Sequence, residues 1–435
     1  MSRILRTRRA LALLSAVGLS TAALACNAII GTRDLSYDPN AATSDGAAAD
    51  GNGGGHNDGG MNNPDGNTVP DGSPSNCPGK DLQNDLANCG ACNHDCTGGK
   101  CALGICTLSQ GSQAGLDGIE IVGTDVYAAA GDGTISRCPT KGCVTAGATY
   151  VLNSGDVEPE RLHVIAGNVL FSNYNDTTAF PTGIYQVTPT VDAGVTRLTP
   201  TGETYVNEFN VLADAGTIFW GSNGDPGKGF YSCKLGNCDA GTSIEPAVET
   251  YDSLFLPNGA FVWSTDTGIH YCAAPATNCT TNTIIFDGDK GNGGWVSALA
   301  YDASSNTLYF PVSHYLSNKY PDKVQSCPAS GATCTPTTYA SGIGTARGMA
   351  AATGVVYWTE TAGTGSLLAD GGVPMDGFVN KCIVQAGTCA GGVKQVAAGL
   401  PSPNRITLDA KSVYWTNEGL FFNTGTYGSI MKAPR

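Results

Sequence analysis

The sequence predicts an all-β protein: a seven-bladed β-propeller of four-stranded antiparallel blades, preceded by a small disulfide-rich module. Three observations carry that expectation. A short aromatic run recurs seven times at near-constant spacing. The same order of short β-prone segments surrounds each copy. Ten cysteines fall in five close pairs, each at the same place within its copy.

The aromatic runs are Val126-Tyr127-Ala128, Leu170-Phe171-Ser172, Ile218-Phe219-Trp220-Gly221, Phe261-Val262-Trp263-Ser264, Leu308-Tyr309-Phe310, Val356-Tyr357-Trp358-Thr359 and Val413-Tyr414-Trp415-Thr416. Their third slots step by 43, 49, 43, 47, 48 and 57 residues, near the roughly 40–50 of a four-stranded blade. An apolar segment precedes each run, as at 119–122, 162–165, 209–212, 254–256, 298–301 and 406–408. A third segment follows, as at 134–138, 184–187, 230–233, 269–272 and 379–382, and a fourth closes the unit, as at 150–152, 195–198, 283–286 and 393–396. Val, Ile, Thr and aromatic residues fill these segments, and Gly, Asn, Asp and Pro bound them. One blade cannot bury both of its faces; a ring of seven can. The last copy ends at Arg435 without a fourth segment, so residues 107–111 are expected to supply the outer strand of blade seven.

The pattern resembles the YWTD-type propellers, most closely in Tyr357-Trp358-Thr359-Glu360 and Tyr414-Trp415-Thr416-Asn417. More loosely, it is similar to the repeat propellers of secreted bacterial lipoproteins. The resemblance spans about three quarters of the chain and implies a binding scaffold more than a chemistry.

Residues 1–25 read as a signal peptide: Arg3, Arg6, Arg8 and Arg9, then an uncharged run. Ala23-Leu24-Ala25-Cys26 resembles a bacterial lipobox, which implies lipidation of Cys26; the alternative is plain cleavage after the small residues and a secreted product. Removing Cys26 from the 17 cysteines leaves an even set. Residues 26–76 form the lipidated N-terminus and an acidic Gly/Asn/Asp linker with almost nothing to bury. Such a tether spans on the order of 35 Å.

Residues 77–106 carry Cys77, Cys89, Cys92, Cys96, Cys101 and Cys106, and resemble the small cysteine-rich modules of secreted bacterial proteins. The Cys89/Cys92 spacing beside His94 raises zinc. An exported segment too short for its own core points instead to disulfides, in any of 15 pairings. Residues 107–435 are the propeller. Its local pairs are Cys138/Cys143, Cys233/Cys238, Cys272/Cys279, Cys327/Cys334 and Cys382/Cys389, each straddling the turn between third and fourth strands. A hairpin holds such positions within bonding distance.

The formal charge is −14, and −18 once the four leader arginines are gone. That leaves no basic footprint for nucleic acid or anionic lipid, so membrane contact is expected through the lipid anchor alone. The chain is expected to be a monomeric, exported lipoprotein of the outer membrane or cell surface of a Gram-negative bacterium, with a protein or glycan partner.

Catalytic signatures are scarce. The propeller has three histidines, His163, His270 and His314, and no Gly-x-Ser-x-Gly, His-Glu-x-x-His or phosphate loop. Asp287-Gly288-Asp289-Lys290-Gly291-Asn292 opens like a calcium loop but lacks the closing glutamate. No other cofactor is indicated. The connections between second and third strands are long in blades five to seven, at 313–322, 361–377 and 417–427. They carry Tyr315, Tyr320, Met375, Phe421, Phe422 and Tyr427 on one face. Long aromatic loops suit binding, although such aromatics also pack beneath their own loops. Binding or adhesion is therefore the expected function. The alternative is an exported hydrolase, lyase or sugar oxidoreductase with its site at the channel mouth.

Overall fold

The structure is a computed structural model. It describes residues 77–435 except 111–114, 145, 166, 175–176, 178, 190–193, 201–205, 213–215, 224–227, 235–236, 247, 267, 277–278, 289–293, 315–320, 362–376 and 420–427. Cys26, Met375 and the expected contact residues Tyr315, Tyr320, Phe421, Phe422 and Tyr427 lie outside the described residues. So does most of the calcium-like segment.

Seven antiparallel sheets form the blades, and no helix occurs among the described residues. Blade one runs from its inner to its outer strand as Leu116–Val122, Asp125–Ala130, Thr134–Pro139 and Thr149–Asn153. Blade two is Pro159–Ile165, Asn168–Asn173, Gly183–Val187 and Val195–Arg197. Blade three is Val206–Leu212, Thr217–Ser222, Gly229–Lys234 and Asn237–Pro246. Blade four is Thr250–Phe255, Phe261–Thr265, Gly268–Cys272 and Thr283–Phe286. Blade five is Ala300–Asp302, Thr307–Val312, Asp322–Pro328 and Thr337–Ile343. Blade six is Thr345–Ala352, Val355–Thr361, Gly377–Gln385 and Lys394–Leu400, with Thr388–Cys389 pairing beside it.

Blade seven takes three strands from the C-terminus: Pro403–Leu408, Ser412–Asn417 and Ser429–Pro434. Its fourth is Ile105–Gln110, which pairs Thr107 with Met431 and Ser109 with Ile430. Lys100–Ala102 adds a fifth. The ring is thus closed by the two ends of the described chain.

The aromatic runs make the core. Side chains alternate across a strand, so two successive large residues serve opposite faces. Tyr357 and Trp415 share one buried cluster, Tyr309 and Trp358 another, Phe219 and Trp263 a third. In each case the second slot of one blade packs with the third slot of the next. Seven such clusters ring the axis. Phe171, Trp220, Trp263, Phe310, Trp358 and Trp415 are all fully buried, each worth about 1.5–3 kcal/mol. Continuous apolar runs, not alternation, are what a strand covered on both faces requires.

The cysteines of the N-terminal module pair as Cys77–Cys92, Cys89–Cys101 and Cys96–Cys106. Cys89 and Cys92 go to different partners, which leaves no thiolate pair for zinc. Disulfides also join Cys138–Cys143, Cys233–Cys238, Cys272–Cys279, Cys327–Cys334 and Cys382–Cys389. Cys389 sits on the short extra strand that lies in the chain between the third and fourth strands of blade six. The module docks on the closure. His94 Nδ1 lies 2.6 Å from Cys89 O and its Nε2 lies 3.1 Å from Ser412 Oγ. Lys432 Nζ donates to Asp95 O and Thr140 O.

Blade five departs from the expected inner strand, 298–301. Its ladder begins only at Ala300, because the Leu299 N–H turns to Asp252 Oδ2 at 2.6 Å.

Candidate functional site

The inner strands of the six blades other than blade five share a defect. Each shifts register near its start, opposite the residue that follows the third aromatic slot. An extra residue in one strand frees a backbone group and re-aims a side chain. In four blades a hydroxyl takes up the freed N–H. Ser172 Oγ accepts from Arg161 N at 3.1 Å and Ser264 Oγ from Asp252 N at 3.1 Å. Thr359 Oγ1 accepts from Gly348 N at 2.9 Å and Thr416 Oγ1 from Arg405 N at 3.2 Å. This is the physical content of the Trp-Thr and Trp-Ser dipeptides. The position holds Ala129, Gly221 and Pro311 in blades one, three and five. Blades must also approach closely here: a Cβ on Gly118 would come within 2.8 Å of Glu160 O in the next blade.

The defects gather polar residues at the end of the ring where inner strands begin. Asn404 Nδ2 donates to Asp117 Oδ1 at 2.9 Å, joining blade seven to blade one. Arg347 pairs with Glu418, whose other oxygen accepts from Ser402 Oγ at 2.7 Å. Arg161 reaches from blade two past blade three, donating to Tyr251 O and Asp252 Oδ1, both at 3.1 Å. Tyr251 donates its hydroxyl to Glu249 Oε2 at 2.9 Å. Burial, and then the Glu249 charge, raise the Tyr251 phenol well above its usual range.

Two carboxyls there have lost most of their water. Burial, reinforced by the charge of Glu418, pushes Asp117 up despite Arg405 and Arg347. Burial, and then Asp117, push Glu160 up to about 8. Both are held protonated at mildly acid pH, where exposed carboxyls are ionised.

Further along the channel lies a cavity of about 250 Å³. Glu120, Arg161, His163, Asn210, Asp252, Ser253, Arg405 and Thr407 give its polar lining. Ile119, Leu162, Phe209 and Ile406 give its apolar wall.

The three propeller histidines do not converge. His163 lies in the channel, with Nδ1 3.3 Å from Glu120 Oε2, Nε2 3.2 Å from Phe209 O, and its ring edge-on to Phe209. His270 is buried in blade four between Thr265, Asn282 and Glu245, stacked on Trp263. His314 sits beside Asp322 at the end of blade five's second strand. No cluster of three or more His, Cys, Asp or Glu suited to a metal occurs among the described residues.

Two of the expected contact loops, those of blades six and seven, leave from this same end: Thr345 opposes Thr361 and Pro403 opposes Asn417, so each of these inner-strand starts lies beside a loop departure. Sequence reasoning missed Asp117, Glu160, Arg161, Asn404 and Arg405. The available signal was their recurrence just before the apolar segment of each inner strand.

No family model and no curated protein sequence matches the chain. Solved structures do: 1123 chains match, which marks a widespread fold. Among them is a GH74 enzyme of Niastella koreensis, 14% identical, with a TM-score of 0.53 over 74% of this chain and 55% of that one. This chain thus spans about half of that enzyme's length. Others are a chain of the nidogen/laminin complex, 12% identical at a TM-score of 0.44 over 63% and 92%, and the designed protein Ika8, 11% identical at 0.45 over 74% and 98%. At these identities the likeness is one of fold. The protein is a seven-bladed β-propeller stapled by disulfides.

Proposed function

We propose that this chain is an exported binding or adhesion protein. It is anchored through a lipid on Cys26 at the outer membrane or surface of a Gram-negative cell. It presents the end of the ring where inner strands begin. Eight disulfides suit an oxidising compartment. One observation carries the reading: polar groups at that end are spent on one another across blades, as in Arg161 with Asp252, Asn404 with Asp117 and Arg347 with Glu418. Such a surface is preorganised for recognition. Tyr315, Tyr320, Phe421, Phe422 and Tyr427, carried by the long loops of blades five and seven in the sequence, are the proposed contacts to a protein or glycan partner. The test is capture of partners from envelope extracts and on a glycan array by the mature chain. Tyr315→Ser with Phe421→Ser abolishes capture without unfolding. Capture unchanged by that double substitution sinks the reading.

A second reading, an exported hydrolase or lyase, is favoured by the adjacent raised carboxyls Asp117 and Glu160, since a carboxyl titrating near neutrality suits a general acid. It requires turnover that Glu160→Gln removes while the fold persists.

A further inference from the structure

We propose that the channel cavity is a binding site for one small neutral polyol, of monosaccharide size, with Glu120, Asn210 and Thr407 as its polar contacts. The proposal rests on the binding reading but concerns a different place from the loops.

Register puts these residues at one level of the channel. Glu120 opposes Tyr127, His163 opposes Leu170, Asn210 opposes Phe219 and Thr407 opposes Tyr414, each the second aromatic slot of its blade. In the remaining blades that level is Leu254, Ala300 and Ala350. One contiguous arc, blades seven through three, is therefore polar, and the opposite arc is apolar. A pyranose-like ring, with hydroxyls at its rim and C–H groups on its faces, has the matching character.

Size agrees. At about 250 Å³ the cavity falls below the roughly 300–1,000 Å³ of drug-sized sites.

Charge bears on the choice between an ion and a neutral ligand. Arg161 is matched by Asp252 at 3.1 Å, Arg405 of the same lining donates to Arg347 O at 3.4 Å, and Glu120 Oε2 lies 3.3 Å from His163 Nδ1. An ion at Arg161 or at Glu120 Oε2 would compete with a partner already in place. The polar atoms that remain offer hydrogen bonds. Glu120 Oε2 takes the Val164 N–H and faces His163, while Oε1 accepts nothing from the described residues. Asn210 Nδ2 uses one of its two N–H groups, on Ser253 O at 3.1 Å. The Thr407 hydroxyl has no hydrogen-bond partner among the described residues and lines the cavity. An acceptor, a donor and a group that is both make up the complement of a diol. Apolar Ile119, Leu162, Phe209 and Ile406 complete the lining.

The experiment is saturation-transfer NMR on the mature chain with D-glucose, D-galactose, D-mannose, N-acetyl-D-glucosamine and myo-inositol. Methylammonium and acetate serve as charged comparators. At least one polyol binds at millimolar affinity or better. Thr407→Val and Asn210→Leu each weaken it by about tenfold, the worth of one lost hydrogen bond, with the thermal midpoint kept. The Thr407 variant serves alone if Asn210→Leu misfolds. No polyol binding, binding untouched by these substitutions, or binding of a charged comparator in its place overturns the proposal. Partner capture by the loops is measured in parallel on the unsubstituted mature chain. Capture there without polyol binding removes this site and leaves the binding reading standing.

Discussion

Thr416 Oγ1 accepts the backbone N–H of Arg405 across a break in the inner ladder of blade seven, at 3.2 Å. The hydroxyl one residue past the aromatic run thus secures the defect that sets Asn404 and Arg405 at the channel mouth. Thr416 is fully buried, so its removal leaves a donor without water to replace it. Thr416→Val and Thr359→Val should each cost about 1–3 kcal/mol. Urea unfolding of the purified domain measures this. Thr416→Ser, which keeps the hydroxyl, should cost less; equal losses for Ser and Val would assign the effect to packing.

The closure of the ring should outweigh any single local staple. Losing Cys138–Cys143, a separation of five residues, should cost about 2 kcal/mol by loop entropy. The bond Cys96–Cys106 instead fastens the strand that completes blade seven. Deleting residues 77–110 removes that strand, the His94–Ser412 contact and the Lys432 bond to Asp95 O together. Calorimetry should show the double alanine variant of Cys138 and Cys143 melting as one transition at a lower midpoint. The deletion should lose the cooperative transition.

Much of this fold was legible because its signals are local. Tyr414-Trp415 is readable as a strand packed on both faces, and Cys233/Cys238 as the two sides of one turn. The polar mouth was not. Glu160 and Arg161 precede an apolar segment and look like turn residues. Only the pairing of Pro159 with Asn173 and Leu162 with Phe171 shows two residues facing one. That register is a non-local fact. The bond from Arg161 to Asp252, 91 residues away, is equally invisible to spacing.

That bond yields its own expectation. Both side chains are about 15% exposed, so the pair has given up much of its hydration. Arg161→Leu should cost about 2–3 kcal/mol, below the 3–5 kcal/mol of a fully buried pair, since Asp252 keeps its bond from Leu299 N. Adding Asp252→Leu should recover part of the loss in chemical unfolding. No recovery would mean that the guanidinium acts through packing alone.

The pH profile should carry the mark of the mouth carboxyls, and its sign follows from linkage. Glu160 is raised to about 8 from its ordinary 4.5, and Asp117 is raised as well. Between those limits the folded state binds more protons than the unfolded one, so stability falls as pH rises. This contribution is full below about 4.5 and gone above about 8. His94 acts oppositely. Burial, and then Lys432, lower it to about 4 from 6.5, so the unfolded state binds more protons between those values and stability rises with pH. Below 6.5 the two slopes oppose each other. From 6.5 to 8 the His94 slope is gone and the carboxyls face only the lowered lysines: Lys381, lowered to about 8 chiefly by burial, contributes above that value, and burial lowers Lys432 from 10.5. The thermal midpoint should therefore fall gently from about pH 4.5 to 6.5, where two raised carboxyls outweigh one lowered histidine, and more steeply from 6.5 towards pH 8. Glu160→Gln, which has no proton to lose, should flatten the decline. Substituting His94 by Gln should steepen it below pH 6.5 and leave it unchanged above. A wild-type midpoint that climbs from pH 6.5 to 8 would show that Glu160 and Asp117 are ionised in the folded ring, with Arg161, Arg347 and Arg405 outweighing their burial.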